Sequence, residues 1–218
     1  MNTVEAILIG VVSLVAAVIL RLIYVWYTRI RPLQPSLDLE WAADCKHLTT
    51  ATINGSALTF HMVRNFTWRT TKDRDEDWED EISVDAEDLK DVWFIVDHFH
   101  SIKGLAHTYL TFEFGCGTCL SFSFESRREQ GERYHPWDGL WRAYELYLLV
   151  GTERDVTGLR THGRGNKDYM FRANTPPEKN RELLFAMVKK LNDLAVNPEW
   201  YHSLLTTCNT SIVNIVNE

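Results

Sequence analysis

The sequence predicts an α+β protein, with one N-terminal transmembrane helix followed by a single domain of a mainly antiparallel sheet and packed helices. Three observations carry this. Residues 6–20 (AILIGVVSLVAAVIL) contain no charge. Residues 106–114 and 120–125 alternate apolar and polar side chains with the period of a strand. Residues 176–196 repeat apolar side chains at helical spacing. The net charge of -7 over 218 residues excludes nucleic acid as the expected partner, because neutralising phosphates requires a basic surface.

The apolar run continues through Arg21 into LIYVW, so residues 6–26 reach the roughly 20 residues that a bilayer core requires. Arg21 sits near one end, where its stem can snorkel to the headgroups. Tyr24, Trp26 and Tyr27 make an interfacial aromatic belt, with Arg29 and Arg31 beyond it. No Lys or Arg precedes the run and no small-x-small site follows it, so a retained anchor is expected rather than a cleaved signal peptide. The bilayer is therefore an expected partner. Residues 1–31 are read as the anchor, 32–48 (with Pro32 and Pro35) as a stiff juxtamembrane linker, and 49–218 as the soluble domain.

Within that domain, Asn54-Gly55 between TTATI and SALTFHM predicts a hairpin with a type I′ turn. Residues 71–81 (TKDRDEDWEDE) are dense in charge without the ligand spacing or glycine of a calcium loop, and read as a solvated loop. Residues 91–97 (DVWFIVD) read as a buried strand. A second hairpin follows across Gly115-Cys116-Gly117-Thr118, with Leu110, Phe112, Phe114, Leu120, Phe122 and Phe124 on a core face. His107 and Glu125 share the opposite, polar face, within about one register step of each other. Residues 137–150 predict a helical turn leading into a buried strand, 168–172 a short strand, and 163–165 a flexible loop. The helix over 176–196 opens on prolines and ends at Asn197-Pro198, and a last helix starts at Thr206 or Thr207 as N-cap.

The chemistry gathers at three residues. Cys208 falls at the start of the last helix, where free backbone N–H groups and the helix dipole stabilise a thiolate. His107 is the natural general base, and Glu125 can orient its imidazole, with Arg127 or Arg128 as charged neighbours. Cys116-Gly117-Thr118-Cys119 lacks the second pair that zinc would want and joins strands where a thioredoxin motif would open a helix, so a local disulfide outside the cytoplasm, or two inert thiols inside, is expected. His98-x-His100 at a strand end could be a metal pair, but spacing nominates no third ligand; a metal-dependent hydrolase through His98, His100 and His107 is a less favoured class, and neither a metal nor a cofactor is expected. No P-loop, GxSxG or GxGxxG occurs.

The runs VRNFTWRT (63–70), AHTYLTFEFG (106–115), SFSFESRREQGERY (121–134), GLWRAYELYLLVGTERDVTGLRT (139–161) and TTCNTSI (206–212) together resemble the Lnb N-terminal periplasmic domain family, a bacterial domain of unknown function. The resemblance covers roughly residues 40–217. The order His, Glu, late Cys is in turn similar to circularly permuted papain-like thiol hydrolases. That likeness implies Cys208 as nucleophile, His107 as base, Glu125 as its polar partner, and backbone N–H groups near Cys208 as the oxyanion hole. Two departures from the family pattern stand out: Thr207 precedes the cysteine where the family usually has Asn, and the hairpin tip carries Cys116 and Cys119 instead of acidic or polar residues. Because the sequence ends about ten residues after Cys208, a C-terminal part of the usual domain is expected to be missing.

The expected function is a membrane-anchored hydrolase or acyltransferase acting on an amide or ester of the cell envelope. The alternative is a non-catalytic binding module of the same fold. Arg29 and Arg31 point the domain inward by the positive-inside rule, whereas the family resemblance points it outward, and the outward, periplasmic reading is taken.

Overall fold

The computed structural model describes residues 2–98 and 106–217. The chain divides into two compact units, residues 1–35 and 36–218.

The first unit is the helix α1 (Thr3–Val25), continued by a π-helical turn at Trp26–Ile30. Its start is fixed by a reciprocal cap: Asn2 Oδ1 accepts from the Glu5 amide at 2.8 Å, and Glu5 Oε2 accepts from the Asn2 amide at 2.9 Å. The helix therefore begins earlier than its apolar run. Thr3–Ile30 is long and apolar enough to cross a membrane, with a mean hydropathy of 2.8 over its best window.

The second unit is built on strands β1 (Thr50–Asn54), β2 (Ala57–Arg64), β3 (Thr67–Trp68), β4 (Arg74–Asp75), β5 (Trp78–Asp85), β6 (Leu89–His98), β7 (Ala106–Phe114), β8 (Cys119–Arg127), β9 (Glu145–Thr152) and β10 (Lys167–Arg172). Helices α2 (Glu153–Gly158), α3 (Pro177–Leu194) and α4 (Cys208–Asn217) complete it. The main sheet runs β1-β2-β9-β8-β7-β6-β10, with β5 also on β2. Its described pairings are antiparallel except for one parallel contact, Arg64 with Gly151. The fold is thus α+β with a mainly antiparallel sheet.

One face of the sheet carries the expected core. Phe60, Leu110, Phe112, Phe122, Phe124, Leu148 and Val150 pack there against Leu184, Met187, Val188 and Leu191 of α3 and Ile212 of α4. Removing this much apolar area from water is the main force for folding. The other face is covered too, and Ser121 and Ser123 on it are buried. Ile95, Tyr109, Tyr147 and Leu149 meet Val156 of α2 and Cys45. The polar alternation of β7 and β8 survives this burial because its hydroxyls pair with each other, as Thr111 and Ser121 do at 2.7 Å.

Several boundaries differ from the expectation. The hairpin turn is Gly55-Ser56, one residue on from Asn54-Gly55. Asn54 still pairs with Ala57, and of the turn residues only Gly55 has a positive φ, as a type II′ turn requires. The charged stretch 71–81 enters strand β5 at Trp78, since pairing with β2 leaves its charges on an exposed edge. Residues 36–48, read as linker, lie on the domain: the Ser36 amide donates to Glu145 Oε1 at 3.1 Å, Trp41 bridges Glu129, and Cys45 is buried. The segment after β9, in which residues 163–165 read as loop, begins as α2 and a π-helical turn at Leu159–Gly163.

Candidate functional site

The site lies where two neighbouring strands stop pairing. β7 and β8 are hydrogen-bonded from Glu113↔Cys119 to Leu110↔Phe122. In that register His107 would stand opposite Glu125, but the ladder has ended. β7 remains on β6 as far as Ala106, and β8 remains on β9 as far as Arg127. Polar side chains fill the opening between them.

His107 Nε2 lies 2.7 Å from Ser123 Oγ and 3.2 Å from Glu125 Oε1. Ser123 Oγ donates to Glu125 Oε1 at 2.8 Å, so it accepts from the imidazole N–H. This network places the proton on Nε2 and leaves Nδ1 as the nitrogen able to take one from elsewhere. Arg160, from the π-helical turn, donates to Glu125 Oε1 at 2.7 Å and to Ser123 Oγ at 3.3 Å. Arg127 is turned away: it stacks over Trp41 at 3.9 Å and donates to the carbonyls of Cys45 and Lys46. Arg128 pairs with Asp44 at 2.6 Å. The partner expected of Glu125 from its neighbours in sequence is supplied by Arg160 instead.

Cys208 is the first residue of α4. Thr207 caps that helix: its Oγ1 accepts from the Thr210 amide at 3.2 Å, while Thr210 Oγ1 accepts from the Thr207 amide at 2.8 Å. Thr and Asn are both good N-caps, so the Thr207 departure keeps the element that positions the cysteine. α4 packs on the core through Ile212 and Ile215, which brings the partly buried thiol to β7 beside His107 and Thr108.

The charges in this opening act on one another. Burial works against the imidazolium, but the Glu125 charge and hydrogen bonding to Cys208 and Glu125 outweigh it, and the His107 pKa is pushed up to about 9. Burial likewise works against the Cys208 thiolate. Hydrogen bonding to His107, its charge and the Thr108 backbone overcome this and lower the thiol pKa. Glu125 is held well below the ordinary carboxylate range, with burial outweighed by His107 and Arg160. The Tyr201 hydroxyl, 3.2 Å from that of Tyr134, is raised first by burial, then by Tyr134 and the charges of Cys208 and Glu125. The structure thus brings Cys208, His107 and Glu125 together, and adds Ser123, Arg160 and Tyr201.

The other candidates lie apart. His98 meets Tyr169 edge-on at 5.3 Å, whereas His107 is turned to Ser123 and Glu125. His100 lies outside the described residues. Among the described residues no group of three or more His, Cys, Asp or Glu could hold a metal ion. Cys116 and Cys119 are free thiols, Cys116 exposed at the hairpin tip and Cys119 half-buried.

The arrangement defines an α+β domain with a cysteine–histidine–carboxylate site in a parted sheet. The chain belongs to the Lnb N-terminal periplasmic domain family, which matches residues 74–218. That family and the N-terminal apolar helix fit a single-pass membrane protein with a periplasmic domain. Neither a curated protein nor a solved structure matches the chain.

Proposed function

We propose that this protein is a membrane-anchored thiol hydrolase or acyltransferase that acts on an amide or ester of the cell envelope, with Cys208 as nucleophile and His107 as base. The observation that carries the reading is the seating of Cys208 at the start of α4 beside His107, with His107 Nε2 already occupied by Ser123 and Glu125. A thiol with a lowered pKa, beside a base that a third group orients, is the general arrangement for nucleophilic catalysis. The same order along the chain is found in permuted papain-like hydrolases, and the periplasmic family supports an envelope substrate.

In this mechanism the thiol proton resides on His107 Nδ1 and the Cys208 thiolate attacks the substrate carbonyl carbon. The first-turn amides of Cys208 and Asn209 have no intrahelical acceptor and can stabilise the oxyanion that forms. Collapse breaks the C–N or C–O bond, and the imidazolium gives its proton to the departing amine or alkoxide. Water or an acceptor hydroxyl or amine then attacks the thioester. His107 takes its proton, releasing the acid or the transferred acyl product and restoring the thiol.

Alkylation of the full-length protein by iodoacetamide, followed by peptide mass mapping, tests this without a known substrate. Cys208 is expected to react with a midpoint below the pH of about 8.5 typical of a free thiol. His107→Ala is expected to raise that midpoint by roughly 1–3 pH units. A Cys208 that titrates as an ordinary thiol in both proteins would return the domain to the reading of a non-catalytic binding module.

A further inference from the structure

Arg160 carries a full charge into the interior, only 1% exposed, yet it takes no part in the proton transfers above. Its guanidinium is held from several sides. Nη1 donates to the Val156 carbonyl at 2.8 Å, Nε faces Asp97 Oδ2 at 3.5 Å, and the group lies 4.6 Å above the Tyr109 ring. The remaining nitrogen, Nη2, reaches the Glu125 and Ser123 oxygens that contact His107.

We infer that Arg160 is a positioning residue of the Cys208–His107 site: anchored by Asp97 and Val156, it holds the Glu125 carboxylate and the Ser123 hydroxyl on His107 Nε2, so that Nδ1 stays turned toward Cys208. Two features of the geometry support this. Glu125 Oε1 receives three groups at once, His107, Ser123 and Arg160. Glu125 itself is only half-buried, so without the guanidinium its side chain is free to swing to solvent. The anchor is also less than ideal as a structural pair, since Asp97 Oδ2 and Arg160 Nε are buried without a hydrogen bond.

Among the described residues, the charged and titratable groups facing this centre are Glu125 from β8, Arg160 and Arg164 beside α2, Asp97 from β6, Asp168 from β10, Tyr109 from β7 and Tyr201 ahead of α4. Of these, Arg160 acts on His107 in two opposed ways. Its own charge lowers the imidazole pKa, while its hold on Glu125 raises it. Removing a bystander charge would therefore push the His107 pKa higher, and removing a positioning residue would let it fall.

The inference rests on the thiol reading and is tested with Arg160→Met, Glu125→Gln and the double variant of the full-length protein, using Cys208 alkylation against pH and histidine ring titration by NMR. Arg160→Met is expected to raise the Cys208 midpoint by about one pH unit and to lower the His107 pKa, with no further rise of the Cys208 midpoint when added to Glu125→Gln. An unchanged Cys208 midpoint, a raised His107 pKa, or a shift that persists in full in the Glu125→Gln background would overturn it. If Arg160→Met does not fold by circular dichroism, Asp97→Asn replaces it: a smaller shift in the same direction is expected, and no shift overturns the inference. A wild-type Cys208 that titrates as an ordinary thiol defeats the thiol reading itself. A low wild-type midpoint left untouched by Arg160→Met defeats only the role of Arg160.

Discussion

Two buried arginine–carboxylate networks meet at α2, and they are satisfied very differently. In the first, Asp155 accepts from Arg64 Nε at 2.7 Å and Arg64 Nη2 at 3.0 Å, from the Phe66 amide at 3.0 Å and from Trp68 Nε1 at 2.7 Å. Both oxygens are filled, both partners are buried, and the helix is fastened to β2 and β3. In the second, a few residues along, Arg160 spreads its donors over Asp97, Glu125, Ser123 and the Val156 carbonyl, and the facing atoms Arg160 Nε and Asp97 Oδ2 remain without a hydrogen bond. A fully paired buried ion is a fastener, because breaking it strands a charge in a poor solvent. A partly paired one still interacts with whatever titrates beside it, which here is the His107–Cys208 pair.

The contrast can be broken experimentally. The largest effect is expected at the fastener: Asp155→Ala should cost about 3–5 kcal/mol, read as a fall in the thermal midpoint, because it leaves the Arg64 charge unpaired. The Cys208 alkylation midpoint of the protein that remains folded should stay near wild type. If it moves as far as in Arg160→Met, the two networks are one. A smaller effect is expected at the start of α4. Thr207→Ala should cost about 1 kcal/mol of stability through the lost cap, and Thr207→Asn should restore it.

The smallest effect, visible only in the pH dependence of melting, sharpens the second network. His107 is raised in the folded state, so its pairing with Glu125 contributes fully below about pH 6.5 and is lost as pH rises through about 9. Glu125 is depressed, so its share is present above about pH 4.3 and is lost on acidification below that. The gap in thermal midpoint between wild type and Glu125→Gln should therefore be widest at about pH 4.5–6.5 and narrow above pH 9, where only the contact of Glu125 with Arg160 remains charged. A gap that does not vary with pH would mean that the pair is not ionised.

Much of this was legible in the sequence, for physical reasons that also mark where it stopped. Strict alternation in β7 and β8 put His107 and Glu125 on one face, and a Thr ahead of an apolar period put Cys208 at a helix start. The parting of the two strands was not legible, since nothing in their alternation distinguishes the half that pairs from the half that opens. Arg160 was missed because residues 159–163 carry too few apolar side chains to show a helical period. The available signal lay upstream, in Thr152-Glu153-Arg154-Asp155: Thr152 caps α2 by accepting from the Asp155 amide, and a Thr with an acidic residue three positions on announces such a start. Residues 36–48 read as linker because they follow a proline-stiffened exit from the membrane, and only the contacts of Trp41 and Cys45 show them to be part of the domain.

Gly151 carries a last consequence. There β9 makes its single parallel contact with β2, and a side-chain carbon would stand 2.8 Å from Val156 Cγ2 and 3.0 Å from the Arg64 carbonyl. The bare backbone at this position is what allows α2 to lie flush against the sheet, and α2 leads directly into the turn that holds Arg160. One added methyl group would act as a wedge under that helix. The freedom of this chain to vary is thus restricted at a glycine whose side-chain space belongs to α2 and β2 rather than to the thiol or the imidazole.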